Sequence, residues 1–302
     1  FDINHLYPRV VYEKSRAEIA KKVTTLSAPK VSVNYFVGAS VEPWRVDLAK
    51  ADMQEAINLW SPYFQPTDVN VIFYGYNDKA WANQKYRELT LFDHDSPPVA
   101  ECTPTYCGNG EATYSDAFKP RRYVFAVGLQ FVDAGLWNRS THAHEYTHWA
   151  QFNFMGNNPG SYPNWVLEGG AQFYGEAIAY VKFDTEKKTR SALHTNYWLG
   201  STDYLKRVFG TDYLPQIFNQ RNDANTVKMM EDLEPQYVPS EQFGMAYYMG
   251  SSAFEVLVAV YGQDKVAEFM GSFAQSRDWK TSFKNIFGLS TTEFYKKLTP
   301  YF

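Results

Sequence analysis

The chain has 302 residues, 45% of them hydrophobic and 18% aromatic, and a formal net charge of −4 at pH 7. That length suits one large domain or two intimate subdomains with ample apolar matter for a core. The mildly acidic balance, without a basic cluster, excludes nucleic acid as an expected partner, and the absence of any run of eighteen apolar residues predicts no transmembrane segment.

Residues 12–26 carry helical spacing, with Ile19, Val23 and Leu26 along one side and Pro29 as the stop. Val31–Val37 alternates like a half-buried strand. Residues 45–60 return to helical spacing through Val46, Ala49, Met53, Ile57 and Trp60, and 69–74 predict a second strand ended by Gly75. A further helix fits 78–89. From 92 to 120 the chain reads as loop, with Pro97, Pro98, Pro104, Gly108, Gly110 and Pro120. Within that loop Cys102 and Cys107 flank a proline-containing turn. A disulfide is the expected pairing and implies an oxidising compartment, since a structural zinc site needs a second Cys/His cluster that the neighbourhood lacks. Arg122–Gly128 predicts a third strand. After residue 138 the chain reads as helix: 140–154, with Asn138 or Ser140 as its cap, then 165–182, 200–219, 240–262, 263–275 and 290–298. Gly156, Asn157, Asn158, Pro159, Gly160 and Pro163 make the loop between the first two.

The expected class is therefore α+β. A strand-and-helix subdomain over 1–137 carries a small mixed sheet. A mostly helical subdomain over 138–302 follows, and together they form one catalytic domain with a metal site at the junction. The 23 tyrosines and 22 phenylalanines are expected mainly in the core. The sequon at Asn138-Arg139-Ser140 is given no weight. The chain begins at Phe1 without a signal peptide, as expected of a processed mature protein or a trimmed one.

The chemistry concentrates in Thr141–Trp149, which contains His144-Glu145-Tyr146-Thr147-His148, the HExxH pattern. On a helix, residues four apart stack on one face, so both imidazoles can meet one ion. Glu145 follows the first of them by about 100° of rotation and can reach a water on the same ion. Two histidine ligands and a general base are the zinc-protease arrangement; the competing reading is a surface helix with two incidental histidines. A catalytic zinc takes three protein ligands and keeps one position open. Glu168, twenty residues after His148 in Trp165-Val166-Leu167-Glu168-Gly169-Gly170-Ala171-Gln172-Phe173, is the expected third.

These residues together resemble the gluzincins, the HExxH…E branch of the zinc peptidases. His-Glu-Tyr-Thr-His followed by Trp-x-x-Glu-Gly-x-Ala-x-Phe is similar to the catalytic core of bacterial collagenases, over about forty residues, with a looser likeness to the C-terminus. The resemblance implies a zinc-dependent endopeptidase, one zinc per chain, acting on protein or peptide through a metal-activated water with Glu145 as base. It also implies that the strand before the HExxH helix, Arg122–Gly128, is an edge strand lining the cleft, where an extended peptide could pair; an ordinary internal strand is the alternative. Many gluzincin-like sequences carry Tyr-x-x-x-x-Ser ahead of a hydrophobic helix ending Tyr-Gly. Tyr247, Ser252 and Tyr261-Gly262 fit that register, which makes Tyr247 the expected donor to the oxyanion and Tyr248 the fallback.

Gln172 and Glu176 follow Glu168 by one and two helical turns, so either could accept the second ring N–H of a ligand histidine, or simply face solvent. His142 points to another side of the helix and is expected not to be a ligand; His5, His94 and His194 have no partner spacing. Two other functions remain. A gluzincin aminopeptidase would carry Gly-x-Met-Glu-Asn, of which Gly108-Asn109-Gly110-Glu111-Ala112 keeps only Gly and Glu. A non-catalytic zinc-binding surface protein would usually have lost the base or a ligand. The disulfide and the resemblance together imply a secreted or extracellular protein; oligomeric state is unspecified.

Overall fold

The computed structural model describes residues 2–25, 31–130, 136–156, 162–180, 200–211 and 221–302. The fold divides into two compact units, one of Lys22–Ala150 with Tyr174–Tyr180 and one of Phe1–Lys21 with Gln151–Phe173 and Val181–Phe302.

The first unit is built on a four-stranded mixed sheet of order β1-β2-β4-β3, with β1 at Val33–Val37, β2 at Val69–Tyr74, β3 at Gly110–Ser115 and β4 at Arg122–Gly128. β1, β2 and β4 run parallel, and β3 pairs antiparallel with β4. Parallel neighbours need crossover connections, and two helices supply them: α2 (Pro43–Trp60) and α3 (Lys79–Thr90). The stripe expected on α2 is the buried one, Val46, Ala49, Met53, Ile57 and Trp60. On one sheet face Ile72, Tyr74, Val124 and Ala126 pack with Tyr86 and Leu89 of α3 and with Val99 of α4 (Pro97–Glu101). On the other, Tyr123 meets Phe64 and Trp149, and Phe125 meets Trp149.

Two expectations are corrected here. The stretch 92–120 is not all loop, for it holds α4 and β3. Pro97 and Pro98 open the helix, where a missing N–H costs nothing, and β3 is a half-buried Gly-Glu-Ala-Thr-Tyr-Ser segment without the alternating branched residues that announce a strand. Arg122–Gly128 is a strand, but an internal one; among the described residues the edge strands are β1 and β3, and β3 is the one beside β4. Cys102 and Cys107 are joined, with S–S 2.00 Å, which is consistent with an extracellular protein.

The second unit is helical. α1 (Pro8–Thr25) starts four residues earlier than expected, because Pro8 suits the first helical position. It buries Val11, Ser15 and Ile19, a stripe spaced by four; Leu26 and Pro29 lie outside the described residues. α7 (Thr202–Phe209), α9 (Ser240–Tyr261), α10 (Gln263–Ser272) and α12 (Thr291–Leu298) fall where helical spacing places them, while the remainder of 200–219 beyond Thr211 lies outside the described residues. α8 (Asp223–Asp232) and α11 (Trp279–Phe287) were not expected. α9 is the one described helix long and apolar enough to cross a bilayer by length and composition, and 72% of its apolar window is buried inside the fold.

Two long helices carry the residues of interest, α5 (Leu136–Met155) and α6 (Asn164–Tyr180). α5 begins before Asn138 and Ser140, so neither is its cap. Gly156, at φ +58°, ends it in the left-handed conformation that glycine adopts without cost.

Candidate metal centre

α5 is fixed to the sheet unit through the residues between its histidines. Thr147 is fully buried, donates to the Ala143 carbonyl at 2.7 Å and accepts from the Trp60 indole N–H at 3.0 Å. Tyr146 packs on Phe64 and Trp149 with ring centroids 5.7 and 5.6 Å apart. With Tyr146 and Thr147 committed to the core, the helix period turns His144, Glu145 and His148 to another side. All three are buried nonetheless.

α6 reaches α5 because its sequence lets it. A Cβ on Gly175 would lie 2.7 Å from the Ser140 carbonyl oxygen and 3.2 Å from His144 Cβ, so only glycine permits this approach. At the other end the Gln151 amide donates to the Val166 and Leu167 carbonyls at 3.0 Å each. Glu168 is the next residue.

His144 Nε2 and His148 Nε2 stand 3.0 Å apart. One ligand atom from each of His144, His148 and Glu168 lies within 4.8 Å of the others, and among the described residues no other group of three His, Cys, Asp or Glu side chains is so placed. Donors on a tetrahedral zinc at about 2.0–2.1 Å are roughly 3.3 Å from one another. Two imidazole nitrogens at 3.0 Å can share a proton or an ion, and a partly exposed carboxylate completes a two-nitrogen, one-oxygen set that suits zinc. The residues therefore fit the ion that the motif implies.

No known protein-family model, curated protein or solved structure matches this chain.

The remaining sequence-derived positions fall as follows. Gln172 and Glu176 are buried on α6, 4% and 9% exposed, and so do not face solvent. Tyr247 is half-buried with its ring tilted against Phe243 at 5.1 Å, whereas Tyr248 is buried against Phe302 at 5.8 Å. His142 packs edge-on against Phe73 and Phe125 of the sheet, a place apart from His144 and His148. His94 lies against Phe92, and its Nδ1 donates to the Asp95 carbonyl; His5 pairs with Asp2, and His194 lies outside the described residues.

The part of the site that sequence reasoning missed is β3. The Ala112 N–H donates to Glu145 Oε2 at 2.8 Å, and the Trp149 indole N–H donates to the Thr113 carbonyl at 2.9 Å. Neither bond has a sequence signal, since one donor is a backbone amide and the strand itself lacks a strand pattern. Glu111, beside Ala112, has its carboxyl pushed up by burial and then by the Glu145 charge. Its register partner is Ala126, so it belongs to the sheet face that α3 covers.

Proposed function

We propose that the chain is a zinc-dependent endopeptidase, as its gluzincin-like motif implies. The observation that carries this reading is the convergence of His144, His148 and Glu168 on one point, with Glu145 on the same helix. Zinc, when bound, would supply a Lewis acid and a water acidified to a pKa of about 7.

The chain's own residues do the rest. Glu145 accepts the proton of the attacking water and passes it to the leaving amine. Tyr247 donates to the developing oxyanion. Its support is positional: a Cβ on Gly169 would lie 2.8 Å from the Ala246 carbonyl oxygen, so Glu168 and Tyr247 each adjoin a residue of one close helix crossing. Tyr248 is committed to Phe302. Gln172 and Glu176, buried on the α6 face of Glu168, are suited to orient the ligand histidines. An extended peptide substrate pairs with the outer edge of β3 rather than with β4. The disulfide favours a secreted protein.

The aminopeptidase alternative needs Glu111 to hold a free amine beside the zinc. Glu111, opposite Ala126, belongs to the sheet face that α3 covers, which favours internal cleavage. The test is a cleavage-site profile on peptides from a whole proteome, run with the zinc-loaded chain and with Glu145→Gln. Internal cuts by the first and none by the second are expected. Stepwise loss of single N-terminal residues would establish the aminopeptidase, and no cleavage by either protein would leave a non-catalytic zinc-binding protein.

A further inference from the structure

In the β3–β4 ladder the Gly128 N–H donates to the Asn109 carbonyl at 3.1 Å. Antiparallel pairs alternate between bonded and non-bonded positions. Given the register Glu111↔Ala126 and Thr113↔Val124, residues 111, 113 and 115 face β4, and Gly110, Ala112 and Tyr114 turn their backbone groups to the outside edge. An outward amide on an edge strand ordinarily meets water. That of Ala112 meets Glu145 Oε2 at 2.8 Å. One turn further along α5, the Trp149 indole N–H meets the Thr113 carbonyl at 2.9 Å. That carbonyl faces the ladder, and its two lone pairs allow a second donor. Consecutive residues of β3 are thus bonded to side chains four residues apart on the HExxH helix.

We propose that this two-point latch positions the Glu145 carboxylate, with Ala112 acting through its backbone N–H as a positioning residue. A free glutamate side chain rotates about three bonds. A charge-assisted bond from a fixed strand amide holds one oxygen and with it the plane of the carboxylate. The Trp149 bond keeps the strand at the distance that bond requires. A peptide paired along this edge then finds the Ala112 carbonyl but not its N–H. The inference rests on Glu145 being the base, and it adds that the edge strand and the base form one mechanical unit.

The first test needs no activity. In the zinc-free chain, hydrogen exchange at the Ala112 amide should be slowed about tenfold or more relative to Glu145→Ala, while the Val124 amide, inside the ladder, exchanges alike in both. Equal exchange at Ala112 in the two proteins would overturn the latch. The second test is kinetic. Ala112→Pro deletes an N–H that makes no ladder bond, a change edge strands tolerate. It should lower kcat at least about tenfold with KM and zinc content kept, and Ala112→Ser, which retains the amide, should turn over like the unaltered chain. A wild-type kcat in Ala112→Pro, or an Ala112→Ser protein equally slow, would sink the proposal; if Ala112→Pro does not fold, the exchange comparison decides. A chain that cleaves nothing yet shows Glu145-dependent protection would remove the peptidase reading and leave the latch standing.

Discussion

Gly250→Ala separates the packing of α9 from the chemistry attributed to it. A Cβ at Gly250 would lie 2.5 Å from the Trp165 carbonyl oxygen and 2.7 Å from Gly169 Cα, where ordinary contact begins at 3.4 Å. The obstructing atoms are backbone and cannot rotate aside, so α9 must withdraw from α6 by about 0.9 Å, the difference between 3.4 Å and 2.5 Å. In an unobstructed helix the same change would stabilise by about 1 kcal/mol. Overpacking costs about 1–3 kcal/mol, and with no flexible neighbour to yield it belongs at the upper end, for a net loss of about 1–2 kcal/mol. Tyr247 travels with α9, and a displacement near 1 Å costs about 10²-fold in rate. The ligands on α5 and α6 do not travel, so zinc should stay. Urea unfolding of the zinc-free protein reads the first quantity, kcat the second and elemental analysis the third. A Gly250→Ala protein more stable than the original would refute the close crossing. A destabilised one with unchanged kcat would refute a role for α9 in the reaction.

Four further outcomes follow from the same structure. Purified chain should hold one zinc, removable by a chelator, and Glu168→Ala should lose it while Glu145→Gln keeps it and loses about 10²–10⁴-fold in kcat; full zinc affinity in Glu168→Ala would send the search for a third ligand to Glu176. Tyr247→Phe should lower kcat by about 10²–10³ with zinc and stability intact, and an unchanged kcat would move the test to Tyr248→Phe. Replacing Cys102 and Cys107 by serine opens a short loop and should cost roughly 2 kcal/mol in chemical unfolding, whereas two titratable thiols in the denatured, unreduced protein would contradict the bond itself. Glu111 has its carboxyl raised above 4.5 by burial and by Glu145, so its contribution is full below pH 4.5 and declines as pH rises through the folded value. Glu111→Gln should therefore stabilise the chain at pH 7 more than at pH 4, and an equal effect at both would show that the carboxyl is not held neutral.

Local patterns with strong periods were legible in the sequence. The α2 stripe was, because five apolar residues at helical spacing have one way to be buried. The HExxH group was, because a helix places residues four apart on one face whatever surrounds it. Two short helices escaped although their caps were visible: Asn222 accepts from the Asn225 amide and Asp278 from that of Thr281. Each is only about ten residues or fewer, too short for apolar spacing to stand out.

By itself, then, the sequence determined that His144 and His148 share one helix face, that Cys102 and Cys107 are close enough in the chain to join, and that the strands lie ahead of a mostly helical second half. Tertiary structure alone decided three things. It made β4 internal and β3 an edge of the described sheet, since strand order follows from pairing between segments and leaves no mark within either. It set α6 against α5 at Gly175, a glycine whose purpose is visible only when the opposing Ser140 backbone is present. And it gave Glu145 a partner in the Ala112 amide, a group every residue but proline carries, so only its position in space could single it out.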